Sequence, residues 1–383
     1  MATPGIQDVR QLAKSEHGVV VSVYMPAHPA GPDGLEDPIR FKNRLADARR
    51  QIRALDDAPS DVSSWFQPAE KLGGNRAFWR GQDNGLAVFL GGELFQVYRT
   101  AVPLDELTVV GRTAHIVPLL TAMEEGTEFY LVVVSRENVR LLRGSRSAMS
   151  EVSIPGRVND VDVGSSKARS SDQLQFRTTG SASGGKQVAL FHGHASAATV
   201  TDEHVLAYLR DIDGAVTDVI GGRRAPLVFA GDVSLFPLYR EVNSYKPLVE
   251  PSLQGNFDAF SATDLHARAW PLVQEQLAER RQDLLASVLE AIGSGKGSTD
   301  VAAVINAAAA GRVGTVILTH GKQLWGRYNA DARNVQVLSG RQTDTEDLLN
   351  LAAIHTLRNG GDVWIAEPDE LPAGDMIAAA YRF

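Results

Sequence analysis

The sequence predicts a mixed α/β fold, and three observations carry that prediction. Short apolar runs such as Val19–Met25, Phe129–Val134 and Leu227–Ala230 read as strands. Longer stretches such as Phe41–Leu55 and Asp264–Ile292 repeat their apolar residues at helical spacing. The two kinds alternate along the chain instead of segregating, as in layered α/β proteins. At 383 residues the chain exceeds one ordinary core, so two or three domains are expected.

The pattern divides into three segments, 1–119, 120–250 and 251–383. In the first, the strand from Val19 to Met25 is broken by Pro26. Asp37-Pro38 reads as an N-cap followed by proline at the first helical position. Phe41, Leu45, Ala48, Ile52 and Leu55 then define a buried stripe. Strands Gly85–Leu90 and Leu94–Thr100 flank Gly91-Gly92-Glu93, a hairpin signal. Ala114–Leu119, with Pro118, reads as a linker.

The second segment opens with a strand at Phe129–Val134, paired across Glu137-Asn138 with Val139–Arg143. A Ser/Gly-rich stretch from Gly164 to Ser183 follows, then a helix over Thr201–Asp213 and a strand over Pro226–Asp232. In the third segment a long helix over Asp264–Ile292 is expected to kink at Pro271 and stop at Gly293. Thr299 caps a helix over Asp300–Ala310, ended by Gly311. Strand Val313–Thr319, helix Thr345–Arg358, and strands Val363–Ala366 and Met376–Phe383 complete an expected α/β sandwich.

Composition narrows the function. Hydrophobic residues at 44% and charged residues at 22% describe a globular protein. A net charge of -8 argues against indiscriminate coating of nucleic acid, while leaving local basic patches open. The chain has no cysteine, which excludes disulfides, thiolate catalysis and cysteine-ligated metal. The first fifteen residues lack a signal-peptide core, and no apolar run of about 18 residues occurs. A cytoplasmic location away from membranes is the expectation.

Four motifs merit weighing. The run Ser183-Gly184-Gly185-Lys186-Gln187 ends the Ser/Gly-rich stretch and leads into Val188-Ala189-Leu190-Phe191-His192-Gly193-His194. Glycines permit close backbone approach to another molecule, and Gln187 could position an attacking water. From Gly156 to Gln187, Arg157, Lys167, Arg169, Arg177 and Lys186 outnumber Asp160, Asp162 and Asp172. That excess suits phosphate contact, and it equally suits a plain surface loop. In the helix after Asp37, Arg40, Lys42, Arg44, Arg49, Arg50 and Arg53 surround the apolar stripe. Guanidinium forks match phosphate geometry; the alternative is a charged face paired to acids elsewhere. His192 and His194 could begin a metal site, but no third ligand stands at a recognisable spacing, so no metal and no cofactor is expected. Gly293-Ser294-Gly295-Lys296-Gly297-Ser298 lacks phosphate-loop spacing and reads as a helix stop.

The Gly-Gly-Lys-Gln run resembles the Gly-Gly-Gln loop of the archaeo-eukaryotic peptide-chain release factors, interrupted by Lys186. Further blocks resemble the bacterial branch of that family, which also includes the Pelota type. They are Asp37-Pro38-Ile39-Arg40-Phe41-Lys42-Asn43, Leu174-Gln175-Phe176, Phe191–His194, Leu227–Asp232, Pro237–Glu241 and Gly311–Val316. The resemblance implies three domains: an N-terminal α/β domain over 1–119, a ribonuclease-H-like domain over 120–250 bearing the loop, and a C-terminal α/β sandwich over 251–383. The last would be similar to the kink-turn RNA-binding ribosomal proteins, although its 16 acidic and 11 basic residues suit a protein partner better than RNA. No Asn-Ile-Lys-Ser stop-codon motif is present.

These readings converge on a ribosome-associated translation factor that binds the A site without reading a codon, in protection (hibernation) or rescue of ribosomes. Its implied partners are the ribosome and ribosomal RNA, with peptidyl-tRNA and a translational GTPase as further candidates. Gly184, Gly185, Lys186, Gln187, His192 and His194 form the candidate RNA-binding loop. Gln187 is the candidate catalytic residue, and the six basic residues of the first-segment helix are the candidate phosphate contacts. Peptidyl-tRNA hydrolysis stays open because Lys186 splits the tripeptide. Two alternatives remain: a hydrolase using His192, His194 and a carboxylate such as Asp232, and a stress-linked protein-interaction factor.

Overall fold

The computed structural model describes residues 4–14, 18–28, 33–55, 58–59, 62–135, 138–154, 195–221, 225–372 and 374–383. They gather into two compact units: Met1–Gly126 with Arg281–Phe383, and Thr127–Arg280. The three segments read from the sequence are thus grouped differently by contact. The first is joined to the last, and the later boundary falls thirty residues beyond 250.

The first unit is built on helix α1 (Ile6–Lys14), strand β1 (Val20–Pro26), helices α2 (Asp37–Arg53), α3 (Ser63–Gly73) and α4 (Arg76–Trp79), and strands β2 (Gly85–Gly91), β3 (Leu94–Thr100) and β4 (Leu107–Gly111). The strands form one antiparallel sheet in the order β3-β2-β1-β4. Alternate side chains point to opposite faces, and here both faces are covered. Val21, Val23 and Met25 pack with Phe41, Leu45, Ala48 and Ile52 of α2. Val20 and Tyr24 join a second core with residues from the far end of the chain, Leu349, Ala353 and Leu357 among them. Double burial explains why β1 reads as a continuous apolar run rather than an alternating one.

Helix α5 (Val117–Glu125) follows β4, where a linker was expected. Ala114, Ile116 and Leu119 are buried in the second core. Pro118, taken as a linker signal, lies in the first turn of a helix, where a missing N–H costs nothing.

In the second unit the strands are β5 (Phe129–Val134), β6 (Val139–Gly144), β7 (Met149–Val152), β8 (Leu227–Gly231) and β9 (Leu253–Gln254). Their order is β7-β6-β5-β8-β9, antiparallel on the β7-β6-β5 side and parallel from β5 to β9. This is the ribonuclease-H-like topology implied by the family resemblance. Helices α6 (Ala195–Ile220) and α7 (Leu235–Val242) pack on one face through Leu209, Ile212, Val216 and Tyr239. Leu265, Ala269 and Val273, from the start of helix α8 (Ala262–Gly293), cover the other. Helix α8 continues through Pro271 as a single element.

The rest of the first unit contains β10 (Gly297–Ser298), α9 (Val301–Ala309), β11 (Val313–Thr319), β12 (Trp325–Asn329), β13 (Asn334–Val337), β14 (Glu346–Asp347), α10 (Leu348–Arg358), β15 (Asp362–Ala366) and β16 (Ile377–Tyr381). Strands β10-β16-β11-β15 make one sheet; β13-β12-β14 make a small second one. Val316 and Leu318 face α9 and α10, while Ile317 and Ala378 meet Val288 at the end of α8. The expected sandwich is therefore present. Its helix caps differ by a residue or two from the sequence reading. Asp300, not Thr299, caps α9 by accepting from the Ala303 amide at 2.8 Å, and Asp347 caps α10 through the Leu349 amide at 3.1 Å.

Candidate nucleic-acid interface

Helix α2 presents the described part of the candidate site. Its apolar stripe of Phe41, Leu45, Ala48 and Ile52 is buried, so the basic residues between those positions must line the edges and the outer face. Arg40, Arg44 and Arg49 are half-buried at the edges, whereas Lys42, Arg50 and Arg53 are exposed.

Most of these cations are already engaged. The Arg40 guanidinium lies 3.1 Å from Glu36 and 3.9 Å from Asp37. Arg44 reaches Glu106 at 3.6 Å, and Arg49 reaches Glu70 at 2.8 Å while lying 4.5 Å above the Phe66 ring. Arg50 pairs with Asp47 one turn away at 2.8 Å. Lys42 and Arg53 make no ion pair among the described residues. Exposed pairs are worth little, typically below about 1 kcal/mol, and a phosphate can displace such a partner. The cations available to an anionic ligand are therefore Lys42, Arg53 and, by exchange, Arg50. Arg44 and Arg49 fasten the helix to its surroundings.

At the start of α2 the expected N-cap is corrected. Asp37 is the first helical residue, and its predecessor Glu36 makes no side-chain cap. The Asp37 carboxylate, buried at 0% exposure, accepts from the His28 backbone amide at 2.9 Å and lies 2.9 Å from His28 Nδ1. It ties the end of β1 to the start of α2, and the half-exposed imidazole is held with its other nitrogen away from that contact. No local sequence signal announces this pair, because its partners stand nine residues apart.

Gly184, Gly185, Lys186, Gln187, His192 and His194 lie outside the described residues. Asp232, the carboxylate considered beside the two histidines, accepts from the Ser234 amide at 2.9 Å and hydroxyl at 2.6 Å, an arrangement that closes the turn after β8. Among the described residues no group of three or more His, Asp or Glu could hold a metal ion. No described helix is long and apolar enough to cross a membrane.

Residues 128–312, just under half of the chain, match the model for bacterial archaeo-eukaryotic release factor family 3. No curated protein sequence matches. Solved structures similar to this chain include the archaeal translation termination factor aRF1, at 14% identity over 100% of this chain and 99% of that one, with a TM-score of 0.24. Dom34 of S. cerevisiae, described as a translation termination-like factor interacting with Hbs1, aligns at 11% identity over 77% and 74%, with a TM-score of 0.42. Pelota of Thermoplasma acidophilum aligns at 11% identity over 100% and 95%, with a TM-score of 0.24. The resemblance to the bacterial branch of the archaeo-eukaryotic peptide-chain release factor family, read from short motifs, is thereby shown over residues 128–312.

Proposed function

We propose that the chain is a ribosome-associated translation factor that occupies the A site without reading a codon, and that it protects idle ribosomes or rescues stalled ones. The observation that carries this reading is the family match over residues 128–312, a span that contains the Gly184-Gly185-Lys186-Gln187 run. The sequence lacks an Asn-Ile-Lys-Ser motif, which speaks against codon-dependent termination. Lys186 separates Gln187 from the two glycines, which favours protection over ester hydrolysis.

On this reading Lys42, Arg50 and Arg53 contact ribosomal RNA phosphates, and the Gly184–Gln187 run meets RNA near the acceptor end of the A site. A translational GTPase is the proposed delivery partner. Support for the phosphate role comes from the outward position of three cations on one helix and from the matching of guanidinium to phosphate.

Co-sedimentation with bacterial ribosomes over a salt series tests the proposal. The wild-type protein should pellet with ribosomes at low salt and dissociate as salt rises. Lys42→Glu/Arg50→Glu/Arg53→Glu should weaken binding about tenfold or more, given like-charge repulsion at three phosphate contacts. Failure to pellet with empty or stalled ribosomes at low salt would overturn the reading.

A further inference from the structure

The small sheet β13-β12-β14 has β13 (Asn334–Val337) at its edge. In the β12-β13 register Gly326 stands opposite Val337, Arg327 opposite Gln336, Tyr328 opposite Val335 and Asn329 opposite Asn334. The Leu338 amide donates to the Trp325 carbonyl at 2.9 Å, which makes the next pair along a hydrogen-bonded one. Antiparallel pairs alternate between bonded and non-bonded. Asn334 and Gln336 therefore turn their backbone groups towards β12, and Val335 and Val337 turn theirs outward. Those outward N–H and C=O groups have no partner among the described residues. Asn306 donates to the Arg333 carbonyl at 3.0 Å, which closes the edge at the entry to the strand and no further.

The side chains leave the same edge open. Residues directly opposite on paired strands share a face. Gly326 lies over the core, since a Cβ added there would come within 2.7 Å of the buried Leu348 side chain. Val335 packs against that core as well. Val337, opposite Gly326, is thus on the core-facing side, yet it is 52% exposed. At β15, the edge of the neighbouring sheet, side chains do the covering. Arg10 donates to the Gly361 carbonyl at 3.1 Å, and the Glu124 carboxylate accepts from the Ile365 amide at 3.2 Å. The run Asn334-Val335-Gln336-Val337-Leu338 has no charge, no proline and no bulge, the devices that commonly discourage pairing at an edge.

We propose that a second copy of this chain pairs antiparallel with β13, across a two-fold axis at Gln336. In that register the segment is its own complement. Val335 of each copy faces Val337 of the other, so the outward backbone groups of both copies satisfy one another. On the core-facing side each Val337 is covered by a valine. On the other side Asn334 meets Leu338 and Gln336 meets its own copy, with no like charges opposed. The two three-stranded sheets join into one, through an isologous contact. So short an edge buries little surface, and the dimer should dissociate at about 10–100 µM. The proposal does not rest on ribosome binding, and its test is separate.

The chain has no cysteine, so a single introduced one reports on one position. Gln336 falls on the axis in a non-hydrogen-bonded pair, where Cα atoms approach to about 4.5 Å, within reach of a disulfide. Under mild oxidation the full chain carrying Gln336→Cys should form a disulfide dimer about tenfold or more faster than Glu93→Cys, from the exposed β2-β3 turn. Sedimentation equilibrium of the wild type from about 1 to 500 µM should show a monomer–dimer equilibrium. Val337→Pro removes an outward N–H and no internal bond, and Val337→Lys puts a charge on the edge. Each should keep the circular dichroism spectrum and weaken the dimer about tenfold or more. A wild type that stays monomeric throughout would overturn the proposal. So would equal cross-linking of the two cysteine variants, or a dimer that Val337→Pro and Val337→Lys both leave unchanged.

Discussion

Asn350 satisfies three backbone groups with one buried side chain. Its Oδ1 accepts from the Ile116 and Val117 amides at 2.7 and 3.4 Å, and its Nδ2 donates to the Ala114 carbonyl at 3.0 Å. These are groups at the open end of α5, which has no side-chain cap of its own. Asn350→Ala strands them in the core and should cost about 2–4 kcal/mol in chemical denaturation. A loss below about 1 kcal/mol would contradict this role. Glu124, at the other end of α5, makes the unit sensitive to pH. Burial pushes its pKa up to about 7 against the pull of Arg281 and of the Ile365 amide that it accepts from, with Glu370 and Glu367 adding to the rise. The native state therefore keeps a proton that the unfolded chain releases in the ordinary carboxylate range. Stability is greatest below that range and falls as pH rises to about 7. Asp347, raised by burial to about 6, adds a loss of the same sign. Between pH 5 and 8 the wild type should lose about 2 kcal/mol from Glu124 alone, allowing for its partial exposure. Glu124→Gln, which still accepts from the Ile365 amide, should flatten that part of the profile in urea titrations. A profile unchanged by the substitution would refute the assignment.

On the proposed reading, helix α2 divides its residues between stability and ligand contact. Phe41→Ala opens the core between the helix and β1 and should cost about 3–5 kcal/mol. Arg53→Glu alters an exposed cation and should leave the melting temperature within a few degrees, while ribosome binding drops. Equal effects of both substitutions on stability would mean that Arg53 is part of the scaffold. The apolar stripe of α2 was legible because helical periodicity is a local signal. So was the β2-β3 hairpin, whose Gly92 adopts a φ of +53° in the two-residue turn. The β12-β13 hairpin was not legible: only Gly326 of it is buried, so its sequence carries no alternation of apolar and polar residues. Arg341, stacked 5.0 Å above Trp325 and donating to the Thr108 carbonyl at 2.9 Å, holds that neighbourhood to β4. Ala114–Leu119 was misread for a related reason, since what makes it core is Asn350, more than two hundred residues away.

At the scale of the whole molecule, the first 126 residues and the last hundred share one core, and that union defeats a segment-by-segment reading. Arg358 donates to the Ala13 carbonyl, and Arg10 pairs with Asp362 at 2.9 Å, contacts between opposite ends of the chain. Periodicity locates helices and strands but does not say which of them pair over such distances. The ribonuclease-H-like sheet of Thr127–Arg280 was reached through family resemblance, since strand order has no signature in hydropathy. The candidate site was half legible. Arginine clustering on α2 is visible in the sequence, whereas the engagement of Arg44 by Glu106 and Arg49 by Glu70 depends on tertiary contacts. With a net charge of -8, the chain as a whole is repelled by RNA, so binding through a local basic face should show a shallow salt dependence, about one unit of slope per phosphate contact. The most direct measurement is competition for the ribosome. The protein would be titrated onto bacterial ribosomes carrying a P-site tRNA, with the A site either empty or filled by aminoacyl-tRNA. A-site occupation predicts saturable binding to the first and loss of binding to the second. Equal binding to both would contradict it.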